Sequence, residues 1–301
     1  MHVFLTGATG FIGAALVRSL LARGDRCTVV SRSGRNPWRD ERVTVLRADP
    51  TRPGDWQSAV SGADAVVNLA GERIVDPPLR WTDARKALLR LSRVDTTRQV
   101  VVAIKNAAKR PGVLVSGSAI GYYGSRGSDV LEESAGPGDD FLALLAQEWE
   151  AAALDARDLL PVTLIRTGIV LGKGGGALEP MLLPFRLGLG GPWGGGRQWW
   201  SWIHIADAVG ILRFAIDHPI SGAVNVTAPN PVPVAEFATA LGRALDRPAV
   251  LPVPAIALRI ALGEAADALL ASQRAVPARA LAAGYEFRFP VLAPALEHLL
   301  R

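Results

Sequence analysis

His2-Val3-Phe4-Leu5-Thr6-Gly7-Ala8-Thr9-Gly10-Phe11-Ile12-Gly13 opens the chain with an apolar run, a turn punctuated by glycines and the start of a helical pattern. Residues 2–6 read as a short buried strand. Ile12, Ala15, Leu16 and Leu20 fall near one face of a helix over residues 11–22. Gly7 can turn the chain tightly with positive φ. Gly10 has no side chain to keep a pyrophosphate off the backbone, and Gly13 lets the helix pack close to the strand. Thr9, Phe11 and Ile12 border the same turn. The helix start offers free N–H groups and partial positive charge. A G-x-x-G-x-x-G spacing between a strand and a helix therefore predicts a dinucleotide site.

Working outward, strands are expected over residues 27–31, 43–46, 63–69, 112–116 and 161–166. Helical patterns lie between most of them, including one long or two shorter helices over 80–109 and another over 140–156 capped by Asp139 or Asp140. Strands alternating with helices predict an α/β fold, a Rossmann-type doubly wound parallel sheet. After Arg166 the pattern changes. Residues 172–196 are glycine-rich, and residues 226–301 carry many prolines and short helices. The expected division is a dinucleotide-binding domain over 1–168, with 203–226 returning to it, and a smaller C-terminal substrate domain over 169–202 and 227–301.

The second strand ends Val29-Val30-Ser31-Arg32-Ser33. An acid there would bind the ribose 2′-hydroxyl of NAD, whereas Ser31 and Arg32 suit a 2′-phosphate. NADP, carried as NADPH in its reduced form, is the expected cofactor.

Composition excludes other classes. The 301 residues contain one cysteine, Cys27, and four scattered histidines, so a disulfide scaffold or a cysteine-rich metal site is ruled out and no metal is expected. The 33 basic residues outnumber 28 acids, but they are spread along the chain in runs no longer than pairs. A nucleic-acid partner is not expected from that pattern. No uncharged apolar run approaches about 18 residues, so no membrane span is expected. The N-terminus lacks a basic leader region and carries glycines at 7, 10, 13 and 24, which predicts a cytoplasmic protein. Nothing in the pattern decides between monomer and homodimer.

Several segments together carry a resemblance: TGATGFIG (6–13), VVNLAG (66–71), SGSAIGYYG (116–124), RTGIVLG (166–172) and WIHIADAV (202–209). They resemble the extended short-chain dehydrogenase/reductase superfamily, which includes sugar-nucleotide epimerases. More closely, the chain is similar to an atypical branch, the YfcH-like epimerase family of NAD-dependent epimerase/dehydratase-like proteins. The resemblance implies that Gly7, Gly10 and Gly13 border the pyrophosphate and that Ser31 and Arg32 meet the adenosine 2′-phosphate. Leu69, Ala70 and Gly71 would line the adenosine ribose and the middle of the cofactor, with Arg93 and Ser116 in further contact. Asp49 either approaches the adenine or serves as a loop aspartate.

The same resemblance implies a Tyr-x-x-x-Lys pair on the helix after the fifth strand, where a lysine lowers a tyrosine pKa for proton exchange. None of the three tyrosines, Tyr122, Tyr123 and Tyr285, has a lysine four residues on. The matching positions fall near Leu142 and Ala146. Ser118, at a strand end, and Tyr123, on the following loop, are the remaining catalytic candidates. Asp139, Asp140, Glu132 and Glu133 are acids nearby, equally suited to capping and surface solvation. Trp193, Trp199, Trp200 and Trp202 could line a substrate pocket or pack the two domains together. His204 beside Asp207 reads as structural, and Arg166 either nears the substrate or pairs with a core acid. Two functions compete: an NADP-dependent oxidoreductase or epimerase acting on an unknown small polar substrate, such as a sugar nucleotide, and a non-catalytic NADP-binding sensor.

Overall fold

The computed structural model describes residues 1–75 and 80–301. Seven strands form one parallel sheet: β1 (His2–Thr6), β2 (Arg26–Ser31), β3 (Val43–Arg47), β4 (Ala65–Asn68), β5 (Leu114–Ala119), β6 (Val162–Thr167) and β7 (Gly222–Val226). Their order is β7-β6-β5-β4-β1-β2-β3. The sequence switches direction at β1, which pairs with both β2 and β4. In such sheets a ligand crevice opens beyond the strand carboxyl ends at that switch.

Helices cover both faces, so every strand must be apolar on both sides. Val3, Leu5, Val29 and Val67 point to one layer, with Leu16 and Leu20 of α1 (Phe11–Ala22). Phe4, Val30, Val66 and Leu114 point to the other, with Val100 and Ile104. The alternation is the period of two expected of a strand.

The helical stretch expected over 80–109 is α2 (Asp83–Arg90) and α3 (Thr96–Asn106) joined by a π-helical turn, Leu91–Asp95. That wide turn buries Arg93. Next come α4 (Phe141–Leu154), capped by Asp140 through the Ala143 N–H at 2.9 Å, and α5 (Glu179–Arg186). α6 (Ile205–Asp217) packs on α1, and α7 (Val234–Ala244) and α8 (Ala255–Leu262) follow.

The C-terminal lobe has its own core. Trp193 meets Trp200 edge-on at 5.0 Å, and Trp200 meets Phe237 at 4.5 Å. Trp202 is fully buried beneath them, its indole N–H donating to the Asn230 carbonyl at 3.0 Å. A third cluster joins the lobes, bringing Trp81, Leu145 and Trp149 against Leu262 and Ala265.

Candidate cofactor cleft and active site

The first glycines do three different jobs. Gly7 has φ +69°, and a Cβ there would lie 2.4 Å from the Leu69 backbone. Gly13 would drive a Cβ to 2.4 Å from the Gly7 carbonyl oxygen, so its bareness lets α1 start against the turn. Gly10 caps α1 in extended conformation, and a Cβ there would meet only the Gly7 oxygen, at 3.2 Å. Beyond that atom its space is open to the cleft. α1 has no side-chain cap and no acid in its first turn, so its leading N–H groups are free for an anion. Thr9, Phe11 and Ile12 line the same cleft. Phe11 is roofed by a hairpin whose glycines press on it: a Cβ at Gly172 or Gly175 would fall 2.5 Å from the ring.

At the end of β2, Ser31 is buried with its Oγ 3.2 Å from that of Ser33. The Arg32 guanidinium is exposed and holds Glu72 at 3.1 Å. Asp49 lines the cleft while its carboxylate accepts from the Thr51 N–H and hydroxyl, at 3.0 and 2.8 Å. Partial burial would raise the Asp49 pKa, but the Thr51 hydrogen bonds outweigh it and the net shift is downward.

Leu69, Ala70 and Gly71 leave β4 along the cleft wall. Arg93 braces them, donating to the Glu72 carbonyl at 2.7 Å and the Leu89 carbonyl at 3.2 Å, and itself lines the cleft. A Cβ on Gly71 would sit 3.1 Å from that guanidinium. Burial pulls Arg93 down to about 10, with Glu72 opposing. Ser116 is placed otherwise than expected. It is fully buried and does not line the cleft, because it lies two residues, ~7 Å, back from Ser118 along β5. There it joins a network under the floor. Thr6 donates to Asn68 at 2.6 Å, and Asn68 donates to Thr97 at 2.7 Å and approaches Ser116 at 3.5 Å. Trp149 donates to Thr97 at 2.9 Å.

At the far side of the cleft, Ser118 donates its hydroxyl proton to Glu150 at 2.6 Å. Glu150 in turn holds Arg166 through two bonds of 2.8 and 2.9 Å, all three residues being buried. Burial alone would lower the Arg166 pKa, yet Glu150 raises it on balance. Tyr123 is a correction. It is fully buried and does not line the cleft; its hydroxyl donates to Asn225 at 2.8 Å and accepts from Arg166 at 3.0 Å. Burial pushes its pKa up despite Arg166. The loop after β5 turns inward as a 3-10 turn, Ile120–Tyr123, which is why the phenol faces the interior. Leu142 and Ala146, by contrast, do line the cleft.

Glu133, His204 and Asp207 have structural partners. Glu133 accepts from the Asn225 and Arg279 backbone. His204 accepts the Ala206 N–H at 2.9 Å through Nδ1 and contacts His298 at 3.1 Å. Burial, with His298 and Arg288 beside it, holds the imidazole down at about 4. Asp207 accepts two backbone N–H groups, from Arg288 and Phe289, both at 2.8 Å. Among the described residues, no group of three or more His, Cys, Asp or Glu could hold a metal ion.

Glu150 escaped sequence reasoning. Its signal was present: Leu142, Ala146 and Glu150 are spaced i, i+4, i+8 and share one face of α4. The hairpin lysine, Lys173, also lines the cleft unannounced.

An open parallel sheet with a bare-backbone turn at its switch point, overlain by a second lobe, defines a dinucleotide-binding α/β protein. The NAD dependent epimerase/dehydratase family model matches residues 3–227, and the Domain of unknown function (DUF1731) matches 253–299. The chain belongs to the NAD dependent epimerase/dehydratase family. It is 42% identical to the Arabidopsis thaliana chloroplastic homologue of epimerase family protein SDR39U1, across all of this chain and 87% of that one. The mouse SDR39U1 is 41% identical over the full length of both. The crystal structure of human SDR39U1 (isoform 2) with NADPH superposes with a TM-score of 0.90 at 39% identity, covering 100% of this chain and 99% of that one.

Proposed function

We propose that the chain is an NADP(H)-dependent oxidoreductase or epimerase of the extended short-chain dehydrogenase type, working in a reducing, cytoplasmic setting. The observation that carries the reading is the open space before Gly10, in front of an uncapped α1. Gly7, Gly10 and Gly13 would cradle the pyrophosphate, with Thr9, Phe11 and Ile12 at its edge. Ser31 and Arg32 would take the 2′-phosphate, and Leu69, Ala70 and Gly71 would run beside the ribose, braced by Arg93. The NADPH in the human SDR39U1 structure supports this choice of dinucleotide. When bound, the cofactor supplies or accepts a hydride at a carbon bearing oxygen.

The proton side falls to Ser118. Its only proton is directed at Glu150, so its oxygen faces the cleft as an acceptor. A substrate hydroxyl can donate to Ser118 Oγ while Ser118 passes its own proton to Glu150 Oε1. Tyr123 acts as a positioning residue, steadying Arg166 and through it Glu150. Leu142 and Ala146 cannot titrate, which favours a second reading, a sensor that binds NADPH without turnover. The two separate on one measurement. Absorbance of reduced nicotinamide should fall in the presence of a carbonyl substrate and stop falling in Ser118→Ala; tight NADPH binding with no consumption across a broad carbonyl panel, and no epimer formed from a panel of sugar nucleotides with the oxidised cofactor bound, refutes the enzyme.

A further inference from the structure

Resting on the cofactor reading above, we infer that the acceptor side of the cleft takes a flat, uncharged, apolar carbonyl compound or alcohol, not a nucleoside-diphosphate sugar. The cleft, at about 2520 Å³, has room for a dinucleotide and a second molecule. Its acceptor walls are aromatic and aliphatic: Trp81, Leu142, Trp149, Trp193, Leu258 and Leu262. Trp81 stands edge-on to Phe141 at 5.3 Å, fixing an indole wall beside α4. Wide apolar faces of this kind suit a planar ligand.

The charges on these walls point the same way. Among the described residues, α4 with its cap, α5, and the segment 255–270 contribute carboxylates to the lining, Asp140, Glu179, Glu264 and Asp267, and no lysine or arginine. Two of these acids already have cation partners: Lys86 holds Glu264 at 2.7 Å, and Arg259 lies 3.7 Å from Asp267. The arginines and lysine that do line the cleft come from α1, α6, the ends of β2 and β4, the π-helical turn, the hairpin over Phe11 and residue 288. A diphosphate on the acceptor side would meet these carboxylates, while the guanidinium beside Trp149, that of Arg93 at 5.3 Å from the ring, is buried and already donates to the Glu72 and Leu89 carbonyls. The rim is apolar too, since Leu189 and Val253 line the cleft and are 58% and 37% exposed.

The test uses full-length protein and two probes, 2-acetonaphthone and UDP-glucose, by equilibrium dialysis against protein saturated with NADP⁺. NADPH affinity is measured first, by calorimetry. The expected result is saturable binding of 2-acetonaphthone and none of UDP-glucose at tenfold higher concentration. Leu258→Glu should weaken the naphthyl ketone at least tenfold and leave NADPH affinity unchanged. Leu142→Asp, at a helix first turn where an acid is tolerated, should do the same to the ketone if the first variant fails to fold. With NADPH bound, uptake of UDP-glucose, absence of ketone binding, or ketone affinity unmoved in both variants overturns the inference alone. Failure to bind NADPH overturns the cofactor reading and this one with it.

Discussion

At the β1–α1 turn the cleft is walled by main chain that almost any side chain would obstruct, whereas at the α4 corner Ser118 reaches the cleft from a buried group of side chains whose polar atoms are already engaged. The turn works by omission: a Cβ at Gly7 or Gly13 would strike backbone at 2.4 Å, and one at Gly10 would project into the open cleft. The corner works by saturation, with Ser118, Glu150, Arg166, Tyr123 and Asn225 linked in one chain of hydrogen bonds. The difference separates two kinds of failure. Damage at Gly10 should spare the fold and abolish binding, while damage inside the corner should reach stability first.

The largest expected effect therefore lies in the corner. Glu150→Ala leaves the Arg166 guanidinium buried without its carboxylate, which should cost roughly 3–5 kcal/mol. Urea unfolding measures it, and Glu150→Gln, which still accepts from Ser118 and Arg166, should lose clearly less. Equal losses in both variants would mean that the carboxylate's charge, and not its hydrogen bonds, carries the contribution. At the turn, Gly10→Val should weaken NADPH and NADH alike by roughly a hundredfold, near 3 kcal/mol, with the urea midpoint nearly unmoved. A large drop in that midpoint would show that Gly10 serves the fold as Gly7 does.

The contrast also accounts for what could be read in advance. The turn lies within eight consecutive residues, and its strand, glycines and helix are each visible as local pattern, so the sheet and its cofactor edge were legible. The corner gathers Ser118 from β5, Glu150 from α4, Arg166 from β6 and Asn225 from β7. Nothing local links these positions. Tyr123 attracted attention because it follows Ser118 in sequence, yet the 3-10 turn carries it to the interior. The tryptophans were ambiguous for the same reason: Trp193 and Trp200 both pack the C-terminal core and line the cleft. Which face a ring presents depends on Phe237, far along the chain.

His204, which lines the cleft and caps α6, gives a pH test. Buried, it titrates at about 4, while an unfolded histidine titrates near 6.5. Between those values the unfolded chain binds the extra proton. Stability should therefore fall as pH drops from 6.5 towards 4, by at most roughly 3 kcal/mol, and level off below. His204→Asn keeps an acceptor for the Ala206 N–H, and its unfolding free energy should slope less over the same window. An identical slope in the variant would assign the pH response to other groups.

The smallest effect is at the edge of the turn, at the residue proposed to meet the 2′-phosphate. The Arg32 side chain is 71% exposed, so solvent would screen a contact with a 2′-phosphate; Arg32→Ala should weaken NADPH by about tenfold, near 1.4 kcal/mol. NADH lacks that phosphate and should be almost unaffected. Equal losses for both dinucleotides would defeat the 2′-phosphate assignment. Glu72 sharpens the comparison, because Arg32 is already paired with it at 3.1 Å and an arriving phosphate must compete for the guanidinium. Removing the competitor in Glu72→Gln should tighten NADPH by a few-fold and leave NADH alone. The gain should shrink as salt is raised, since added ions screen an exposed pair in both states.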